Sequence, residues 1–250
     1  MGAVRILVIQ PSTIDPVGML GDWLTDAGAV IDVVSPAEGE LPDQLDGYQA
    51  LIVLGGPMGA LDDVEYPWLA SIRSLLSRAT SARIPVLAIC LGAQLLATAT
   101  GGQVRRAANG FEAGTLLVAK RDVAADDPLL GDLPLTPDVL EFHQDEVTML
   151  PPSAKLLASS PRCENQAFRV GDFAYGLQFH IETSTQVVQD WVRSMPEVAE
   201  SAREGQWEAA HLDRFHEDLA EVWQPVAERF VRMAATPLEE RRTSRSLPLV

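Results

Sequence analysis

The sequence has few cysteines and no long apolar run. Only two of its 250 residues are cysteine, Cys90 and Cys163, and neither forms a spaced pair with a nearby histidine. The spacing therefore favours free thiols over a disulfide framework, and we expect no metal site. No apolar run reaches the ~20 residues that span a bilayer. The first residues also lack the pattern of a signal peptide, so we predict a cytoplasmic protein.

Basic residues are scarce relative to acidic ones. The chain has 19 Lys and Arg against 35 Asp and Glu, a formal net charge of −16. Binding to nucleic acid needs clustered cations to neutralise phosphates, which this balance opposes. The sequence also lacks a Gly-x-x-x-x-Gly-Lys-[Ser/Thr] phosphate loop. We therefore expect a solvated acidic surface, no nucleic-acid or membrane partner, and no cofactor.

Short apolar runs alternate with helical patterns in the first part of the chain. Runs at 5–9, 30–34, 50–54 and 85–89 are apolar apart from Arg5 and Asp32 and do not alternate regularly, which is typical of parallel strands buried on both faces. Between them, apolar residues recur at helical spacing. Strands that alternate with helices predict an α/β fold with a doubly wound, mostly parallel sheet.

The second part of the chain changes character. Residues 103–170 hold short β-like pieces between Pro- and Asp-rich turns, which predicts an antiparallel extension. A returning strand is predicted over 173–181, and helical spacing resumes over 185–234, where Pro225 interrupts or kinks a helix. We therefore expect one domain over 1–183, a helical extension packed on it over 184–235, and a flexible tail over 236–250.

Cys90 ends an apolar run and stands directly before a predicted helix. A residue at such a strand-to-helix turn projects its side chain at the carboxyl end of the sheet, above a helix N-terminus. The positive end of the helix dipole stabilises a thiolate, and Gly92 lets backbones approach closely. Taken alone, the turn also fits a buried cysteine with a purely structural role, which is the commoner case.

His180 and Glu182 supply a candidate base and a carboxylate to orient it. Both lie at the end of an apolar strand, where residues two apart project to the same face. Glu182 can therefore hold one ring nitrogen of His180, and with Cys90 they form a generalised catalytic triad. A strand-end histidine bonded to the backbone is the alternative. His211 and His216 lack metal-binding spacing, and we predict that they lie on a solvated helix face.

Two glycines, Gly55 and Gly56, directly follow another buried strand. Glycine pairs allow unusual backbone angles, so an N–H can point into a site. Attack on an amide builds negative charge on the carbonyl oxygen, which pre-aimed backbone donors stabilise. We nominate the N–H groups of Gly56 and Leu91 as this oxyanion hole. A tight turn without a catalytic role is the alternative.

Three segments in this order resemble the class I glutamine amidotransferases. They are Gly55-Gly56-Pro57, Cys90-Leu91-Gly92-Ala93-Gln94 and His180-Ile181-Glu182. The likeness is strongest to the glutaminase domain of GMP synthase and its free-standing relatives, and it covers about residues 5–183. It implies a flavodoxin-like fold, a γ-glutamyl thioester on Cys90, and ammonia as product.

The same resemblance implies a set of substrate-binding residues: Gly55, Met58, Gln94, His143, Gln144 and Asp145. Gln94 matches a glutamine near the substrate's α-carboxylate, and 143–145 matches a His-Gly-Asp loop at its amino-acid end. The stretch 165–168 is also shared with this subgroup. Two departures stand out. Ile181 replaces the usual proline and leaves the triad spacing intact. Gln144 replaces glycine, and its long polar side chain can change the shape of the pocket, so the substrate could be a γ-glutamyl amide other than glutamine.

Three functions fit these motifs. In the first, the chain hydrolyses glutamine to glutamate and ammonia and delivers the ammonia to a separate ATP-dependent synthetase. In the second, it is a stand-alone γ-glutamyl amide hydrolase in catabolism. In the third, it is a binding module that keeps the fold without catalysis. The first two share all the motifs, and the intact triad argues against the third.

Overall fold

The computed structural model describes residues 3–237 and residue 240. The strands are β1 (Val4–Ile9), β2 (Ala29–Val34), β3 (Ala50–Val53), β4 (Val86–Ile89), β5 (Gln103–Arg106), β6 (Glu112–Leu117), β7 (Ala119–Lys120), β8 (Asp138–His143), β9 (Asp145–Met149), β10 (Ala154–Ser159), β11 (Ala167–Val170) and β12 (Ala174–Leu177). The helices are α1 (Gly18–Asp26), α2 (Trp68–Ser81), α3 (Leu91–Ala99), α4 (Thr185–Ser194), α5 (Pro196–Ala199) and α6 (Ala209–Ala235). Most of the predicted flexible tail, 238–239 and 241–250, lies outside the described residues.

The main sheet has the order β2-β1-β3-β4-β12-β11-β10-β7. Its first five strands are parallel to one another, and the last three continue antiparallel. The parallel part follows the 2-1-3-4-5 order of flavodoxin-like folds. This confirms the predicted doubly wound sheet with its antiparallel extension. The pairs β5–β9 and β6–β8 form two further antiparallel ribbons.

The central strands β1, β3 and β4 carry the core on both faces. Alternate residues of β1 join different clusters: Ile6 packs on one side of the sheet and Leu7 on the other. The continuous apolar runs therefore predicted double burial correctly for these strands. The same prediction was wrong for β2, because β2 is an edge strand where Val30 and Val33 are each 46% exposed.

Helix α6 runs unbroken through Pro225 and packs against α1, α4 and β8. Its Trp223 is fully buried and donates a hydrogen bond from Nε1 to the Asp138 carbonyl at 3.0 Å. The predicted solvated position of His216 was wrong. Its ring is buried with Nε2 3.0 Å from Thr183 Oγ1, and burial lowers its pKa. His216 therefore belongs to the packing between α6 and the start of α4.

Within residues 3–237 and 240, no helix combines the length and apolar character needed to cross a membrane.

Gly92 sets how closely α3 approaches β3. A Cβ added at Gly92 would lie 2.2 Å from the carbonyl oxygen of Val53, which is backbone and cannot rotate away. Only glycine therefore allows this approach, and the approach fixes where α3 begins beneath Cys90.

Gly92→Ala should lower the free energy of unfolding by about 1–3 kcal/mol, the usual cost of overpacking, because α3 or β3 must shift. Urea denaturation measures the change. Gly39→Ala is the matched control, since a Cβ there meets no described atom within 4 Å. An equal loss in the two variants would contradict this account of α3 packing.

Candidate active site

The candidate site lies at the carboxyl edge of the parallel strands. The loops after β1, β3, β4 and β12 bring Asp15, Gly55, Cys90 and His180 to this edge. A Cβ added at Gly55 would lie 3.1 Å from His180 Cε1 and 3.5 Å from both Asp15 Oδ1 and Cys90 Cβ. The three side chains thus surround Gly55, at the kind of strand-order reversal where open α/β sheets bind ligands.

Cys90 has a left-handed backbone, with φ 51° and ψ −110°. Such angles cost a non-glycine residue of order 1–3 kcal/mol and persist only where surrounding structure enforces them. Here the Cys90 N–H donates to the Leu177 carbonyl at 2.7 Å, and its own carbonyl accepts from the Gln94 N–H at 3.1 Å. The predicted strand-to-helix turn is therefore present, and Cys90 caps the N-terminus of α3.

Glu182 holds the imidazole of His180. Its Oε1 lies 2.6 Å from His180 Nδ1, and its Oε2 accepts the backbone N–H of Ile181 at 2.9 Å. Both carboxylate oxygens are thus engaged. The replacement of the family's proline by Ile181 helps to hold Glu182, because a proline there would have no N–H to donate to its carboxylate.

The charge state of His180 is set by opposing effects. Burial is the largest and by itself lowers the pKa, but the Glu182 carboxylate and the hydrogen-bonded Cys90 side chain outweigh it. The pKa of His180 consequently lies well above its usual value. Since Glu182 occupies Nδ1, the other ring nitrogen is the one available to Cys90.

Asp15 is a site residue that the sequence analysis missed. Its side chain lines the pocket beside Cys90 and His180, is almost fully buried, and has no hydrogen-bond partner at Oδ2 among the described residues. Burial raises its pKa from 3.8 to about 6, although nearby His180 opposes the shift. Its position just beyond the end of β1 was the available signal, but loop 10–17 has no motif.

Helix α4 closes the site from behind His180. The indole of Trp191 packs edge-on against the His180 ring, with centroids 4.7 Å apart. Its Nε1 donates to the Ile14 carbonyl at 2.7 Å, next to Asp15. Trp191 therefore joins the loop after β1 to the candidate base.

A chain of buried amides runs from Cys90 to the predicted substrate loop. Gln178 Nε2 lies 3.8 Å from Cys90 Sγ, and its Oε1 accepts from Gln94 Nε2 at 3.3 Å. Gln94 Nε2 also donates to the Asp145 carbonyl at 3.1 Å. Gln94 thus orients both neighbours, and Gln178 is a second residue that the sequence analysis missed.

The predicted oxyanion donors are neighbours. Leu91 is the first residue of α3, and the first N–H groups of a helix have no acceptor within it. A Cβ added at Gly56 would lie 3.1 Å from Leu91 Cδ2 and 2.9 Å from Met58 Sδ. The two N–H groups therefore belong to segments in direct contact, and their role as an oxyanion hole stays a prediction.

A pocket of about 580 Å³ opens above Cys90. Five of the six predicted substrate residues line it, namely Met58, Gln94, His143, Gln144 and Asp145, whereas Gly55 lies behind Cys90 and His180. Gln144 turns to the rim, where its Oε1 accepts from the guanidinium of Arg106. The opposite wall comes from Trp191, Met195, Glu197 and Val198, beyond the segments that carry the motifs.

The side chain of His143 is only 1% exposed. Its Nδ1 lies 2.9 Å from the Asp145 carbonyl, and its Nε2 lies 3.2 Å from Glu141 Oε2 and 3.4 Å from Glu112 Oε2. Burial opposes a charge on the ring, but the two carboxylates prevail and raise the pKa of His143 to about 10. The ring therefore lies at the edge of the pocket with almost no surface open to it.

Known proteins resemble this chain over most of its length. The family model for Glutamine amidotransferase class-I matches residues 22–191. The chain is 29% identical over 222 residues to γ-glutamyl peptidase 3 of Arabidopsis thaliana, which covers 83% of this chain and 84% of that protein. It is 36% identical over 137 residues to one subunit of the glutamine-hydrolyzing GMP synthase of Pyrococcus furiosus, covering 54% and 67%. The crystal structure of a glutamine amidotransferase from Thermotoga maritima has a TM-score of 0.80 at 30% identity, covering 92% and 99%.

Asp15 should make the stability of the protein depend on pH. Its folded pKa of about 6 exceeds its usual value of 3.8, so its favourable contribution is complete below about pH 4 and is lost as the pH rises through 6. Asp15→Asn should therefore raise the free energy of unfolding at about pH 7.5 by roughly 1–3 kcal/mol, since one pKa unit is worth about 1.4 kcal/mol. At about pH 4 the variant and the native protein should be equally stable.

Urea denaturation at the two pH values measures this difference. Asp43→Asn removes a carboxylate from an exposed loop and should change stability little at either pH. If Asp15→Asn gains no more than Asp43→Asn at the higher pH, Asp15 carries no burial cost.

Proposed function

Because the chain belongs to the class I glutamine amidotransferase family, we propose that it hydrolyses the side-chain amide of glutamine through a thioester on Cys90, giving glutamate and ammonia. The chain is an amide-hydrolysing enzyme, as its membership of this family and its similarity to a γ-glutamyl peptidase indicate. The observation that carries the proposal is the contact of Cys90 with a His180 ring that Glu182 holds, at the floor of an open pocket.

Acylation begins with transfer of the Cys90 thiol proton to His180. The thiolate attacks the amide carbon, and the N–H groups of Gly56 and Leu91 stabilise the oxyanion. His180 then gives its proton to the leaving nitrogen, so that ammonia departs and a thioester remains on Cys90. The raised pKa of His180 supports this cycle, because the ring must hold the proton between the two transfers.

Deacylation uses the same residues, with water in place of the Cys90 thiol as the attacking group. His180 takes a proton from water, the hydroxide attacks the thioester carbon, and the Cys90 thiolate leaves with that proton. Glutamate is released and the thiol is restored. Glu182 keeps the ring in one orientation throughout, because both of its oxygens are hydrogen-bonded.

Charged groups around the pocket could bind the α-ammonium and α-carboxylate groups of a glutamyl substrate. Asp15, Asp62 and Asp145 line it and can receive an α-ammonium group, while Arg106 at the rim can receive a carboxylate. Asp15 is the deepest of the three and has an oxygen without a protein partner among the described residues. A substrate ammonium would offset the cost of that buried carboxylate.

The released ammonia passes to a separate synthetase in this proposal. The relation to a GMP synthase subunit, whose name describes one part of a larger enzyme, supports a partner. The sequence has no phosphate loop of the Walker type, so an ATP-dependent step would take place on the partner.

A γ-glutamyl peptide is the second candidate substrate, and the width of the pocket favours it. The cavity of about 580 Å³ extends from Cys90 to α4 and α5, which is more space than free glutamine requires. The relation to a plant γ-glutamyl peptidase over 83% of this chain supports the same candidate. In this case an amino acid or peptide, rather than ammonia, is the leaving group, and the protein acts without a partner.

Cys90→Ala and His180→Ala should each lower kcat/KM for the amide substrate by about 10⁴-fold or more, because a triad acts as a unit. Release of glutamate from glutamine by the purified protein measures this. His211→Ala is the matched control for His180→Ala, since His211 lies on α6 and contacts Thr115. Turnover by folded Cys90→Ala would refute the thioester mechanism.

The two candidate substrates predict opposite preferences. If the chain is a peptidase, kcat/KM for a γ-glutamyl dipeptide exceeds that for glutamine, because the far wall of the pocket contributes binding only to the larger leaving group. Parallel assays of glutamate release from both compounds decide this. A clear preference for glutamine would exclude the peptide candidate.

A further inference from the structure

Three side chains that could bind a metal meet below the pocket, and a fourth, Glu141, lies next to one of them. Glu112 and His143 are paired directly across the β6–β8 ribbon, and Glu141 projects to the same face two residues before His143. Cys163 reaches them from the turn between β10 and β11. The ligand atoms of Glu112, His143 and Cys163 all lie within 4.8 Å of one another, and all three residues are buried.

The cluster leaves buried polar atoms without hydrogen bonds. Glu141 is fully buried, and neither of its carboxylate oxygens has a hydrogen bond among the described residues. His143 Nε2 lies 3.2 Å and 3.4 Å from two carboxylates, but neither contact has the orientation of a hydrogen bond. A buried carboxylate without a hydrogen bond is costly even beside a charged imidazole. A proton on Nε2 can serve one carboxylate at a time, whereas a cation among them serves all.

Hydrogen bonds from surrounding residues orient the candidate ligand atoms towards one another. The Asp145 carbonyl can only accept, so His143 Nδ1 is the donor and Nε2 is left facing the cluster. The two oxygens of Glu112 accept from Ser160 Oγ at 3.1 Å and from Gln166 Nε2 at 3.3 Å. The Cys163 side chain accepts the backbone N–H of Asn165. Such outer hydrogen bonds are typical of protein metal ligands.

We propose that Glu112, His143 and Cys163 bind a structural zinc ion, and that the neighbouring Glu141 carboxylate shifts to supply the fourth ligand. Zinc takes thiolate, imidazole and carboxylate ligands in four-coordinate structural sites, at about 2.0–2.3 Å, which sets the ligand atoms roughly 3.3–3.8 Å apart. The observed separations of 3.2 Å and 3.4 Å from His143 Nε2 fit this spacing. The site is closed by protein ligands and separate from Cys90, and its role is to fix the 143–145 wall of the pocket.

The ligands come from three separate segments, which explains why spacing along the chain predicted no metal site. The usual sequence signal is a close pair of Cys or His residues. Here the pairing of Glu112 with His143 depends on strand register, and Cys163 approaches through a turn.

The test is metal content and cobalt spectroscopy of the full chain. Protein stripped with a chelator and dialysed against micromolar free Zn²⁺ should retain one zinc ion per chain, and its thermal midpoint should rise with zinc. Co²⁺ in place of zinc should give a thiolate-to-cobalt charge-transfer band. Cys163→Ser and His143→Gln should lose the metal, whereas Cys90→Ala and His211→Gln should retain it.

The Cys90→Ala variant keeps the test decisive if Cys163→Ser does not fold. In that variant Cys163 is the remaining thiol, so a thiolate band from bound Co²⁺ assigns the ligand without any change at Cys163. Three results would overturn the proposal: no zinc retained by folded native protein, no thiolate band in Cys90→Ala, or equal metal retention by folded Cys163→Ser. None of these readouts depends on turnover, so they are independent of the proposed reaction.

Discussion

The hydrogen bond from the Cys90 N–H to the Leu177 carbonyl is the contact on which the site's geometry depends. It continues the pairing of β4 with β12 by one residue, past the Ile89–Leu177 pair. Cys90 and the segment that carries Gln178 and His180 are therefore held in place by sheet register, before any side chain is considered. The left-handed backbone at Cys90 then turns the chain into α3, and Gly92 lets that helix begin against β3.

The same edge of the sheet concentrates buried charge that a purely structural core would avoid. His180 and Glu182 form a paired unit, but Asp15 has an oxygen without a hydrogen bond among the described residues, and so have both oxygens of Glu141 on the adjoining β6–β8 ribbon. Unpaired polar groups and strained residues are tolerated where binding or catalysis compensates for them. The apolar strands beneath, buried on both faces, provide the stability that allows these groups to persist.

Local patterns in the sequence were enough to predict the parallel strands and the triad candidates. Continuous apolar runs identified the central strands. The contact of Glu182 with His180 was also predicted, but the strand predicted over 173–181 ends at Leu177, so bends beyond β12 rather than strand alternation make the contact. The residues that were missed depend on longer-range geometry. Asp15 enters through an irregular loop, Gln178 depends on how β12 pairs with β4, and the burial of His216 depends on how α6 packs against α4. Such placements are decided by tertiary packing, which periodicity along one segment does not encode.

Helix α4 and the residues after it form a part of the site that is separate from the candidate catalytic motifs. Trp191 contacts the candidate base and the loop of Asp15, and the residues after it form one wall of the pocket, whereas the candidate catalytic motifs lie elsewhere in the chain. Substitutions at Met195, Glu197 or Val198 can therefore reshape the space for a leaving group while the bonds that hold Cys90 and His180 stay intact. In evolutionary terms, the helices after the last motif are where members of one family can diverge in substrate while sharing one reaction.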